Sequence, residues 1–137
     1  MKNTIFQKSL LIASLFLLFL SVKTNAQESS ISDHIAILNE LTGGKISAGD
    51  FKKATGLDLK TTDSSENCEV AEFHIVWVEK GQDPVEAIVR SANYNQKALN
   101  LVKKAKSGTI YYFDAVKIKC EGNEELESVN SLVFKIE

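Results

Sequence analysis

The chain has 137 residues, of which 16 are Lys or Arg and 18 are Asp or Glu. Residues 1–26 read as an export signal, and the 111 residues from Gln27 onward make one domain, long enough to bury about two-thirds of the surface the unfolded chain exposes. Losing Lys2, Lys8 and Lys23 with the signal takes the net charge from −2 to −5. That balance argues against nucleic acid as a partner, and 44% hydrophobic content with a single proline argues against disorder.

The signal reading rests on a basic start (Lys2, Lys8), an uncharged apolar run from Leu10 to Leu20, and Thr24-Asn25-Ala26 before the cut between Ala26 and Gln27. The run is 11 residues long, whereas a membrane-spanning helix needs roughly 20. No cysteine stands near residue 26 to take a lipid. The expectation is a periplasmic or secreted protein with no membrane span in its mature part.

Gln27 to Asp33 is polar. Ile35, Ile37 and Leu41 then alternate as a short strand or leader, so residues 27–41 are expected to precede the domain proper and His34 to lie in a loose stretch. Thr42-Gly43-Gly44 signals a turn. Ile46 to Phe51 reads as a helix start, with Ser47 as cap, Asp50 closing a capping box and Ile46 meeting Phe51. Gly56 is expected to stop this helix in the left-handed conformation. Leu57 to Lys60 reads as extended, and Thr61 to Asn67 as a polar loop.

Cys68 to Glu79 is the clearest strand, apolar on both parities from Phe73 to Val78 except at His74, which predicts cover on both faces. Gly81-Gln82-Asp83-Pro84 turns the chain into a hairpin partner, Val85 to Ser91. Asn95 caps a second helix expected to reach about Ser107, with Ala98, Leu101, Val102 and Ala105 as its apolar stripe, Tyr94 stapled to Leu99, and Gly108 as its stop. Thr109 to Cys120 is a long strand whose apolar parity changes between Tyr111/Phe113 and Val116/Ile118. Either both faces are covered or a bulge sits near Asp114. After the turn at Glu121–Glu124, Val129 to Ile136 closes the chain, with Leu132, Phe134 and Ile136 on one face. Strands parted by turns, with two inserted helices, predict an α+β, mainly β domain: an antiparallel β-sandwich.

Cys68 and Cys120 belong to an oxidising compartment if the chain is exported, and a disulfide closing 52 residues is expected, with free thiols as the alternative. A catalytic thiol would need an activating base. Zinc would need four ligands, and the histidines beside the cysteines number only two, His34 and His74. No cofactor and no metal are expected.

The order Thr42-Gly43-Gly44-Lys45-Ile46-Ser47, capped helix, strand pair, then Tyr94, Leu99-Asn100-Leu101-Val102-Lys103, Lys106, Gly108, Tyr112-Phe113-Asp114, Val116-Lys117 and Ser131 to Ile136 resembles the GldM C-terminal domain family of the gliding-motility and type IX secretion machinery in Bacteroidetes-type bacteria. The resemblance covers about Thr42 to Ile136, placing the domain at residues 42–137. It implies a β-rich periplasmic module that meets envelope partners, carries no catalytic residues and stands alone as an exported copy. The cysteine pair is not part of the resemblance.

Other residues are weighed for chemistry. Lys97, Lys103, Lys104 and Lys106 give the second helix a basic side, read as a solvated face. Glu121, Glu124, Glu125 and Glu127 form an acidic turn without the spacing of a calcium loop. Trp77 and Tyr111-Tyr112-Phe113 read as core, His74 as a satisfied or half-exposed imidazole. No nucleophile elbow, phosphate-cradling loop or carboxylate pair stands out. The reading is a non-catalytic protein-interaction module for an envelope protein of unstated identity. The alternative is a small-ligand or cell-wall-fragment binder using a cleft between helix and sheet.

Overall fold

The computed structural model describes residues 33–62 and 65–137. The export signal and the Ala26–Gln27 cut lie outside the described residues. In chain order the elements are β1 (His34–Ile37), β2 (Gly44–Ile46), α1 (Ala48–Lys53), β3 (Asp58–Thr61), β4 (Cys68–Val78), β5 (Val85–Val89), α2 (Gln96–Val102), β6 (Ile110–Cys120), β7 (Glu127–Ser128) and β8 (Leu132–Ile136). The domain is α+β, mainly β. A six-stranded sheet runs β2-β8-β6-β4-β5 with β7 paired beside β6, and β1 and β3 form a separate antiparallel ribbon.

The sheet is antiparallel apart from one pair: β2 runs parallel to β8, Gly44 opposite Phe134 and Ile46 opposite Ile136. The glycines expected only to turn the chain therefore begin a strand. Gly43 has φ +144°, and a Cβ there would sit 2.9 Å from the Val133 carbonyl oxygen, so glycine lets the two backbones meet.

The parity change in β6 is a bulge. Ala115 has φ +50°, and Tyr111, Phe113, Val116, Ile118 and Cys120 are all buried across it. Its neighbour β4 shifts register over the same stretch, so Val70, Phe73, Ile75 and Trp77 keep to the same inner face. Both strands change parity together, so the buried rows of β4 and β6 stay on one face.

The core lies on that inner face. Phe51 of α1 packs on Tyr111, Phe113 and Phe134 with ring centroids 4.4, 6.3 and 6.2 Å away. Tyr94 packs on Phe73 and Phe113 instead of serving only as a staple for its own helix. Ala98, Leu101 and Val102 of α2, with Ala36 and Leu38 from the ribbon, complete the cluster. Each large side chain so buried contributes about 1.5–3 kcal/mol relative to exposure.

Both helix caps form as expected. Ser47 Oγ accepts from the Asp50 amide at 3.0 Å while Asp50 Oδ2 accepts from the Ser47 hydroxyl at 2.8 Å, and Asn95 Oδ1 accepts from the Ala98 amide at 2.9 Å. The helix ends do not form as expected. Helix α1 stops at Lys53 because Ala54 is already extended (φ −65°, ψ 137°), and Gly56 has a different duty. Helix α2 ends at Val102, five residues short of Ser107, and turns at Lys103–Lys104 carry the chain to Gly108 (φ +92°).

The segment expected to be a loose leader is partly core. His34, Ala36, Ile37 and Leu38 are buried, β1 pairs with β3 from His34–Thr61 to Ile37–Asp58, and the Asn130 amide brackets Ala36 by accepting from its N–H (2.7 Å) and donating to its carbonyl (3.1 Å).

Candidate interaction surface

Among the described residues, the sheet's outer face is only partly buried. In β4 the inner positions Phe73, Ile75 and Trp77 are buried, whereas His74, Val76 and Val78 between them are only partly so. The expectation that β4 is covered on both sides is thus corrected: helices and ribbon lie on one face, and the apolar residues of the other parity are left bare.

These residues align across strands. Val76 is opposite Tyr112, and Tyr112 is opposite Val133, which is 44% exposed. One row along, Val78 faces Ile110, and Ile110 faces Lys135, which pairs in turn with Lys45. On the other side His74 lies between Ile88, 40% exposed, and Asp114. Alternation along each strand brings Val76, Val78, Ile88, Ile110, Tyr112 and Val133 to one surface, because side chains two apart share a face.

Charge rims this patch. His74 Nδ1 and Glu86 Oε1 are 2.7 Å apart, and Glu72 meets Lys117 at 3.7 Å and Arg90 at 3.5 Å. On the β2 side Lys45 Nζ is 2.7 Å from Glu137, whose hydrogen bond and charge raise the lysine's pKa. An apolar centre inside a charged border is the composition of a docking surface.

The residues singled out from sequence fall in several places. Trp77, Tyr111 and Phe113 are core, but Tyr112 faces outward in the patch. The basic side of α2 is partly engaged: Lys104 Nζ lies 4.7 Å from the Trp77 ring centroid and Lys106 pairs with Glu79, while Lys97 and Lys103 are exposed. Of the acidic turn, Glu121 accepts from Asn67 and Glu127 from Asn123, with Glu124 and Glu125 exposed. Cys68 and Cys120, directly opposite at one end of the β4–β6 pair, are bridged. His34 is brought against that bridge, its Nε2 3.2 Å from Cys68 Sγ. Its burial follows from the ribbon folding back over 34 residues, which no local pattern announces.

The cleft between helix and sheet is filled. The Tyr111 hydroxyl donates to the Leu101 carbonyl at 2.7 Å, and the Phe51 and Tyr94 rings occupy the remaining space. Burial raises the pKa of both Tyr94 and Tyr111. Among the described residues no helix is long and apolar enough to cross a membrane.

A family model for the GldM C-terminal domain matches residues 24–137. The chain belongs to the GldM C-terminal domain family. The match takes in the ribbon as well as the sheet, and it makes the domain a gliding-motility and type IX secretion-related module. No curated protein matches the chain in sequence.

Proposed function

We propose that this domain is an exported, non-catalytic interaction module that docks onto another envelope protein in gliding motility or type IX secretion. The observation that carries this reading is the row Val76–Tyr112–Val133, half-buried at the first two and exposed at the third, apolar and bordered by charge, on the face opposite the helices. A partner laid over it would remove these apolar side chains from water. Family membership supports the same setting, and the Cys68–Cys120 bridge supports an exported location, since such bridges persist in oxidising compartments. The filled cleft under α2 weighs against the ligand-binding alternative.

The test is site-directed photo-crosslinking in cells, with the probe amino acid at Tyr112 and, as control, at Asp83 in the β4–β5 turn. The expected result is a discrete crosslink to an envelope protein from position 112 alone, lost when Val133→Asp is added. Identical products from both positions would overturn the reading.

A further inference from the structure

Four metal-ligating groups meet where the ribbon touches the end of the main sheet. His34 comes from β1, Glu66 from the loop before β4, Cys68 opens β4 and Cys120 closes β6, and their ligand atoms all lie within 4.8 Å of one another. His34 Nε2 is 3.2 Å from Cys68 Sγ and 3.4 Å from Glu66 Oε2. Around a tetrahedral zinc ion with bonds of about 2.0–2.3 Å, neighbouring ligand atoms stand roughly 3.3–3.8 Å apart. The nitrogen therefore already stands near the spacing a metal requires from both the oxygen and one sulfur. The imidazole is also held: Nδ1 is 3.0 Å from Thr61 Oγ1, a contact that orients the ring with Nε2 on the cluster side.

We propose that this cluster is a redox-gated zinc site, in which the Cys68–Cys120 bridge and a Zn²⁺ ion are alternative occupants. A dithiol reductant opens the bridge by exchange. It gives up two electrons and two protons, closes its own disulfide, and leaves Cys68 and Cys120 as thiols. Zn²⁺ then displaces both thiol protons to solvent and takes two thiolates, the His34 imidazole and the Glu66 carboxylate as its four ligands. A shallow depression of about 230 Å³ is lined by Asn67, Cys68, Glu69, Lys119, Cys120 and Glu121, so the bridged residues border an opening in the surface. The ion would tie β1 and the loop before β4 to the end of the sheet, a staple that replaces the lost crosslink.

The experiment compares the oxidised domain with the same domain reduced by a dithiol and desalted without oxygen, using Co²⁺ as spectroscopic probe and Zn²⁺ as competitor. The reduced form should bind one Co²⁺ with the intense visible bands of tetrahedral cobalt and a sulfur charge-transfer band, release two protons per ion, and yield the cobalt to Zn²⁺. The oxidised form should bind none. His34→Ala and Glu66→Gln should each weaken Zn²⁺ binding at least about tenfold. Glu66 has a 65% exposed side chain, so its variant keeps the fold if the histidine variant does not. A pale octahedral cobalt spectrum, a reduced domain that stays unfolded in excess Zn²⁺, or an affinity unmoved by either variant would overturn the proposal. None of these results depends on the docking surface.

Discussion

The hydroxyl of Tyr111, in the middle of the main sheet, donates its proton to the Leu101 carbonyl at the end of α2, 2.7 Å away and inside the core. The same carbonyl accepts from the Lys104 amide at 3.0 Å, so the tyrosine bond is a second one on that oxygen, and it joins helix to sheet. Tyr111→Phe should cost about 1–2 kcal/mol, read as a lowered denaturant midpoint with an unchanged m-value.

The same burial sets a pH dependence. Tyr94 and Tyr111 have raised pKa values in the fold, chiefly through desolvation, with Glu79's charge adding to the effect at Tyr111. The unfolded chain releases these protons near pH 10, whereas the folded one still holds them. Above that pH the unfolded state binds fewer protons, so stability must fall as pH rises. The contribution of these two tyrosines should be flat up to about pH 10 and decline from there, and the Tyr94→Phe, Tyr111→Phe pair should lessen the alkaline decline in chemical denaturation series.

Gly56 joins ribbon and sheet by backbone contact. A Cβ at this position would lie 2.0 Å from the Ala92 carbonyl oxygen, while Leu57 N–H donates to that same oxygen at 2.9 Å and Tyr94 N–H to the Thr55 carbonyl at 2.7 Å. The obstacle is backbone, which cannot swing aside. Gly56→Ala should therefore destabilise by about 2–3 kcal/mol, at the upper end of overpacking costs, whereas Gly81→Ala meets no atom and bears only its turn strain. Paired thermal melts of the two variants measure the difference.

Local chemistry announces what local chemistry decides. Ser47 and Asn95 are legible as caps because a side-chain oxygen three residues before an amide is sufficient to form one, whereas the step from Phe113 to Val116 allows a bulge or cover on both faces, and Ala115 at φ +50° makes it the bulge. The strand at Gly44–Ile46 is hidden because its partner, Phe134 to Ile136, is 90 residues away and parallel. His34 looks like part of a loose leader for a similar reason, since only the folded ribbon places it on Cys68. The sheet's outer face is read wrongly from sequence. Val76 and Val78 are as apolar as any core residue, and pattern alone does not say whether the second layer above them comes from this chain or from another.

The bridge makes a quantitative claim on stability. Cys68 and Cys120 are 52 residues apart, and closing a loop of that length stabilises by roughly 4 kcal/mol in the chain-entropy account. The Cys68→Ser, Cys120→Ser double variant should lose a comparable amount in equilibrium unfolding without metal. Alkylation of the protein taken from cells before reduction should label neither cysteine, and labelling of both would show that the bridge does not form in the cell.

The outer face should separate binding from folding. Val133 is 44% exposed on β8, beside Tyr112 and away from the core that Leu132 and Phe134 fill from the same strand. Val133→Asp puts a charge in water, not into an apolar interior, so its effect on stability should stay within about 0.5 kcal/mol. Phe134→Asp, one residue on, points into the ring cluster around Phe51 and Phe113 and should prevent folding, because an unpaired charge there has no compensation. If the bare row is where the domain docks, Val133→Asp gives a folded protein with the wild-type melting temperature that no longer crosslinks through position 112 and fails to complement a deletion strain. Full complementation by this variant would mean that the partner is engaged elsewhere.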